Sequence, residues 1–139
     1  MKLSRISFLC LLLFLLVPSV ISAQKKDDGF QAFYTKFRSA INGQNKAALK
    51  GLMSSSFIWA QDGEVSPNEA ISNIGSIITW KKFWQSAKKA VVKSAERCKK
   101  PYCENRSGYH AFASSPFPVE MLFEKDSGGN WHWTGMLGD

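Results

Sequence analysis

The stretch FPVEMLFEKDSGGNWHWTGML, residues 117–137, decides the fold, because strand and turn signals coincide in it. Its first part alternates apolar and polar side chains, as a strand with one covered face does, and only Leu122 breaks the pattern. Residues 126–130 then supply turn formers, and a second alternating run follows. We therefore predict a β-hairpin with one apolar face, whose inward positions are Phe117, Val119, Met121, Phe123, Trp131, Trp133, Gly135 and Leu137.

The amino terminus has the order of a secretory signal peptide. Lys2 and Arg5 precede an apolar run over residues 6–17, and small residues follow up to Ala23. A membrane anchor would need about 18 apolar residues, and this run is shorter. Residues 1–23 are therefore predicted to be cleaved, and residues 24–139 are predicted to be a single exported domain, periplasmic or secreted.

The predicted mature chain is basic. Of 18 Lys and Arg, 16 remain against 11 Asp and Glu, which gives a formal charge of +5. Residues 81–100 hold eight of these cations and one acid, Glu96. They are either the exposed face of an amphipathic helix or a surface that docks on anionic envelope material. Nucleic acid is not an expected partner, since basic and aromatic residues do not interleave on one strand. No second apolar span is found, so no transmembrane segment is expected in the mature chain.

Upstream of the hairpin, helical and strand patterns are segregated. Apolar spacings of three and four predict helices over residues 30–41, 46–53, 67–74 and 79–91, with Ser54–Ser56 ending the second. A compact β-prone run predicts a strand at residues 57–60, followed by an Asp62-Gly63 turn, and a period-2 pattern predicts another at residues 109–113. This order predicts an α+β domain in which helices pack on one face of a curved antiparallel sheet.

Cys98 and Cys103 are the cysteines that remain after cleavage, and in an exported chain they are predicted to form a disulfide. A zinc site would need about four ligands. His110 and His132 have no metal-like spacing to the cysteines, so no metal is predicted, and no cofactor motif is found.

Four segments together resemble the NTF2-like superfamily, which includes SnoaL-like and ketosteroid-isomerase-like domains. They are FQAFYTKFRSAI, FIWAQDG, SPNEAI and WHWTGML, at residues 30–41, 57–63, 66–71 and 131–137. The resemblance implies a cone-shaped, cystatin-like α+β domain, often with an apolar pocket at its open end and often a homodimer through the sheet.

The five tryptophans either fill the core or line such a pocket. With the layout that the resemblance implies, helix and strand aromatics would face each other across the cone, and His110 could be the polar group at its mouth. The candidate pocket residues are Tyr34, Trp59, Trp80, Trp84, His110, Met121, Trp131 and Trp133.

Three functions remain open at this point. The first is a non-catalytic module that binds a small apolar ligand or a protein partner in the conical pocket. The second is an isomerase or dehydratase with a buried acid, although Asp62 is predicted in a turn and Glu120 on an exposed outer face. The third is docking on anionic envelope material through residues 81–100.

Overall fold

The computed structural model describes residues 29–60, 62–94 and 108–138. The predicted signal peptide and the predicted disulfide between Cys98 and Cys103 lie outside the described residues.

In the described chain, two helices precede two strands, further helices follow, and the last four elements are strands. The helices are α1 Phe30–Asn42, α2 Lys46–Gly51, α3 Pro67–Asn73 and α4 Trp80–Lys89, and a π-helical segment, Ile74–Ile78, joins α3 to α4. The strands are β1 Met53–Trp59, β2 Gly63–Val65, β3 Val91–Ser94, β4 Gly108–Ala113, β5 Val119–Lys125 and β6 Trp131–Leu137.

One six-stranded sheet, in the order β2-β1-β6-β5-β4-β3, forms the second layer of the fold. The helices pack against the face formed by Ala111, Met121 and Trp133, which confirms the predicted α+β class with helices on a curved sheet. Four of the five strand pairings are antiparallel, as predicted, but β1 and β6 run parallel, so the sheet is mixed. A parallel pair needs a long crossover, which here includes every element between β1 and β6.

Side-chain caps lie at three of the helix starts, and Thr79 caps α4 by accepting from the Lys82 backbone N–H at 3.5 Å. Asn45 accepts a hydrogen bond from the backbone N–H of Ala48 at 2.9 Å, and Ser66 accepts one from Glu69 at 3.2 Å. Each cap satisfies a backbone donor that the first helical turn leaves open. Pro67 at the first position of α3 lacks the amide hydrogen that would have needed a partner, so the predicted start of this helix is confirmed.

The predicted helix over residues 79–91 is too long. Helix α4 ends at Lys89, Ala90 is extended with ψ 137°, and Val91 opens the edge strand β3. Val91 and Val92 are β-branched and favour strands, and they pair with Phe112 and Ala111 of β4. Val91 is 61% exposed, so it does not belong to the buried helical face.

Strand β1 is longer than predicted, because it begins at Met53 and includes Ser54–Ser56. Met53 pairs with Trp133 of β6, and the Trp133 amide donates to the Leu52 carbonyl at 2.8 Å. Pairing with β6 therefore extends the strand through a polar serine run that by itself signals a loop.

A register shift between β5 and β6 corrects the predicted alternation of the last strand. Trp133 pairs with Phe123, but the next pair is Gly135 with Leu122, so the inward positions change from odd to even numbers. Met136 lies in the core cluster, and Leu137 does not. A Cβ on Gly135 would lie 3.1 Å from the Ile58 Cβ and 3.2 Å from Leu122 Cδ1, so glycine permits close packing there.

The interior between helices and sheet is filled by aromatic rings. Phe37, Phe57, Phe83, Phe123 and Trp133 have no exposed surface. The Trp133 ring centroid lies 4.9 Å from Phe57, 5.4 Å from Phe37 and 6.0 Å from Phe83. Its indole N–H donates to the Gly135 carbonyl at 2.8 Å, which satisfies the one polar atom of the ring.

Candidate functional site

The structure places the eight predicted pocket residues in five different surroundings. Met121 and Trp133 have no exposed surface and form part of the aromatic interior. Tyr34 and Trp131 are half-buried and pack around Phe30, with ring centroids at 5.5 and 5.0 Å. Burial raises the pKa of Tyr34, and the Arg38 guanidinium opposes that rise.

Trp80 and Trp84 lie together on α4. Their rings stack with centroids 4.9 Å apart, and the Lys46 ammonium lies 4.5 Å from the Trp80 ring centroid. Trp84 is 5% exposed, whereas Trp80 is partly open to solvent. Trp80 also packs closely on Gly75, where an added Cβ would lie 2.9 Å from the indole nitrogen. This pair joins α4 to the π-helical segment.

Trp59 lines a cleft of about 120 Å³ between β1, β6 and the π-helical segment, and we call it the apolar cleft. Phe117 is fixed at its wall by Ser86, whose hydroxyl donates to the Phe117 carbonyl at 2.7 Å and accepts from its amide at 3.0 Å. Among the described residues that line the cleft, none is charged. The lining residues are Trp59, Ala60, Ile77, Ile78, Phe117, Met136, Leu137 and Gly138.

The backbone beside the apolar cleft has uncommon conformations. The π-helical segment contributes Ile77 and Ile78, and π-helical turns occur often at functional sites. Ala60 has a φ of 42°, and Thr79 has a φ of 75° with ψ 136°, a region that β-branched residues rarely adopt. Such conformations cost about 1–3 kcal/mol each and persist where the surrounding structure enforces them.

Ile77 stands at the rim of the apolar cleft with 64% of its surface exposed, while Ile78 beside it is 5% exposed. Trp59 and Met136, at 4% and 3%, form buried walls. The cleft therefore joins an exposed branched side chain to the buried interior. With apolar walls and no charged side chain, it can retain an apolar group but has nothing to orient a charged one.

His110 and Glu120 form a polar contact on the other face of the sheet. His110 Nδ1 lies 2.5 Å from Glu120 Oε1, and the two side chains are 12% and 11% exposed. His110 Nε2 is buried without a hydrogen-bond partner among the described residues. Strand alternation directs Ala111 and Met121 to the interior, so His110 and Glu120 point away from the aromatic rings.

The prediction that Glu120 lies on a solvated face is wrong, although its direction away from the interior is as predicted. Its carboxylate is covered because it contacts His110 and because Leu137 pairs with it on β6. Glu120 is the buried acid among the described residues. Asp62 is exposed in the turn after β1, where its amide donates to the Trp59 carbonyl at 2.9 Å.

The turn between β5 and β6 carries a second polar cluster. Asp126 accepts hydrogen bonds from the Asn130 amide at 2.8 Å and from His132 Nε2 at 2.9 Å. These contacts, the Asn130 amide first, lower the pKa of Asp126 to about 2. Because the Asp126 side chain is 39% exposed, the cluster fixes the turn and does not form a buried acid–base site.

Within residues 29–60, 62–94 and 108–138, no group of three or more His, Cys, Asp or Glu is arranged to hold a metal ion. None of the helices in the same ranges has both the length and the apolar character that crossing a membrane requires.

The chain matches no protein-family model, and no curated protein sequence matches it. Among solved structures it is similar to a designed NTF2-like protein whose title begins Rd1NTF2_05. The two are 14% identical, the match covers 81% of this chain and 97% of that chain, and the TM-score is 0.43. At this identity and TM-score, the likeness carries no conclusion about function.

Sequence reasoning found Trp59 but missed most of the apolar cleft. Ile77 and Ile78 fall between the predicted helices over residues 67–74 and 79–91, and no short-range pattern indicates a π-helical turn there. The predicted alternation of the last strand places Met136 on the outward face, and the register shift between β5 and β6 reverses that placement. The sequence does hold one signal of the cleft. Ile77 and Ile78 are adjacent, and a single helical face does not bury two neighbouring large side chains.

Proposed function

We propose that this protein is a non-catalytic NTF2-like module that binds a small apolar ligand in the apolar cleft. Support for the family comes from the four segments that resemble it and from the helix and strand order in which they occur. Trp59 and Met136 give the cleft buried apolar walls, since they are only 4% and 3% exposed.

The observation that carries the proposal is Ile77, which exposes 64% of its surface at the rim of a cleft whose other walls are apolar. Exposing a large aliphatic side chain is unfavourable by about 25 cal/mol per Å² of apolar surface, and a ligand in the cleft would recover part of that. Uncommon backbone at Ala60 and Thr79 on either side is in keeping with a functional site.

Size restricts the ligand. A cavity of roughly 150 Å³ lined by aliphatic and aromatic side chains holds one benzene molecule. The apolar cleft, at about 120 Å³, therefore suits a single ring or a short branched alkyl group. Fused-ring compounds of sterol size would not fit, and neither would a folded peptide segment.

A catalytic function has less support from the described residues. Isomerase and dehydratase chemistry needs an acid or base within hydrogen-bond reach of the substrate. None of the described residues that line the apolar cleft is an acid or a histidine, and the carboxylate of the buried Glu120 is engaged by His110.

Calorimetric titration with toluene tests the proposal. Ile77→Ser should weaken toluene binding about tenfold, because part of the 1.5–3 kcal/mol available from burying an aliphatic side chain is lost. The matched control is Thr35→Ser, which changes another exposed β-branched residue outside the cleft and should leave the affinity unchanged. No binding by the unaltered protein, or equal binding by the Ile77 variant, would overturn the proposal.

Export belongs to the same proposal and rests on the signal-peptide pattern of residues 1–23. Intact-mass measurement of protein recovered outside the cytoplasm should give a chain that begins at Gln24. Alkylation without reductant should add no mass if Cys98 and Cys103 are paired. A chain that retains Met1, or one that gains two alkyl groups, would contradict export or the disulfide respectively.

A further inference from the structure

A second concavity, of about 370 Å³, lies where β3 and β4 meet the end of α4. We call it the basic groove. Its lining shares no residue with the apolar cleft, and its volume falls within the range of roughly 300–1,000 Å³ that is typical of small-molecule sites. The lining residues are Lys89, Val91, Lys93, Phe112, Ala113, Ser114 and Ser115.

The floor of the basic groove is apolar and exposed. Val91 of β3 pairs directly with Phe112 of β4, so the two side chains lie side by side on the outer face of the sheet. They are 61% and 45% exposed and are, with Ile77, the large hydrophobic side chains exposed among the described residues. Because Val91 pairs with Phe112 in the β3–β4 register, the two side chains together form this floor.

The polar groups around that floor are cations and hydroxyls. Lys89 ends α4, and Lys93 lies two residues after Val91 on the same face of β3. Ser114 and Ser115 follow the end of β4. None of the described lining residues is acidic, and the carboxylate of Glu120, which pairs with Phe112, is engaged by His110.

We propose that the basic groove binds an anionic amphiphile, namely a molecule with one carboxylate on an unbranched alkyl chain. Its chain would lie on Val91 and Phe112, and its carboxylate would meet the ammonium groups of Lys89 and Lys93, with serine hydroxyls as further donors. We choose an anionic ligand for charge complementarity, since the groove combines exposed apolar surface with cations alone. The predicted mature chain also has a formal charge of +5.

Two other occupants fit less well. A second copy of the chain, related by a two-fold axis through this face, would bring two Lys89 and two Lys93 side chains together, and such like-charge contacts are unfavourable. A flat anionic membrane would not fill a concave groove. A single-chain carboxylate fits both the shape and the charge.

Decanoate, below its micelle-forming concentration, is the probe. The protein should bind decanoate at least tenfold more tightly than decanol and should not bind decyltrimethylammonium measurably, because the alkyl chain is shared and only the head group differs. Lys93→Gln should weaken decanoate binding up to about fivefold, and Phe112→Ser should weaken both decanoate and decanol. Lys36→Gln, an exposed lysine of α1, is the matched control and should change nothing.

Several results would overturn the inference. Equal affinity for decanoate and decanol would show that the lysine charges do not contribute to binding. An unchanged decanoate affinity in Lys93→Gln would show that decanoate does not bind in the basic groove. Binding to phosphatidylglycerol vesicles without binding to decanoate would point to a membrane surface. A sedimentation dimer that Phe112→Ser converts to monomer would assign the face to a second copy.

Failure of this inference is distinguishable from failure of the proposed function. Ile77→Ser should retain decanoate binding, and Lys93→Gln should retain toluene binding.

Discussion

At the scale of single residues, His110 and Glu120 cover one another on the outer face of the sheet. Each side chain is nearly nine-tenths buried, and the His110 Nε2 atom has no described partner to replace Glu120. A buried polar group that loses its partner keeps the cost of desolvation without the hydrogen bond that offset it. The two residues therefore act as one unit in the stability of the β4–β5 pair.

Substitution Glu120→Gln should lower the free energy of unfolding by about 1–3 kcal/mol, because it replaces a charge-assisted contact to His110 with a weaker one. Urea denaturation monitored by tryptophan fluorescence measures this. Glu64→Gln makes the same chemical change at an exposed strand position and should have almost no effect. Equal effects at positions 64 and 120 would show that the contact with His110 contributes nothing.

Asp126 should make stability depend on pH in the acid range. Its folded-state pKa of about 2 lies below the ordinary value of 3.8, so the stabilisation is fully present above pH 3.8 and is lost as the pH falls through about 2. Carbon-13 NMR of the side-chain carboxyl should give a midpoint near 2. Replacing Asp126 with Asn should remove this contribution over that window. A midpoint near 3.8 would mean that Asn130 and His132 do not hold the carboxylate.

At the scale of elements, sequence patterns located α1, the start of α3 and the β5–β6 hairpin, because each has local signals such as a cap, a turn or a strict period. The end of α4 has no such local signal. Two Arg38 nitrogens donate to the carbonyls of Ala87 and Lys88 at 2.8 and 2.9 Å and so complete the helix end from α1. The spacing of apolar residues over 79–91 carries no information about a contact with Arg38. The predicted helix therefore runs on through Val91.

Removing this contact should loosen the packing of α1 against α4. Arg38→Met keeps most of the apolar stem but removes both donors, and we expect it to lower the free energy of unfolding by about 1–3 kcal/mol. Hydrogen exchange should rise most at the amides of the last turn of α4. Lys36→Met on the exposed face of α1 is the control. Unchanged exchange at the end of α4 would contradict this role of Arg38.

At the scale of the whole molecule, the fold class followed from element order, but the site did not. Periodicity shows which face of an element is buried, and the aromatic positions on α1, α4 and β6 are indeed buried or half-buried. It does not show whether facing rings meet. Here Phe37, Phe57 and Phe83 close on Trp133, while Trp59 lies in a separate cleft whose other walls come from a π-helical turn and a register-shifted strand.

The most direct test of ligand binding in the apolar cleft is methyl NMR of isoleucine-labelled protein during titration with toluene. We predict that the methyl signals of Ile77 and Ile78 shift with a common dissociation constant. Those of Ile41 and Ile74, which have no exposed surface and do not line the cleft, should stay in place. Shifts at Ile41 without shifts at Ile77 would place the ligand in the aromatic interior and contradict the account.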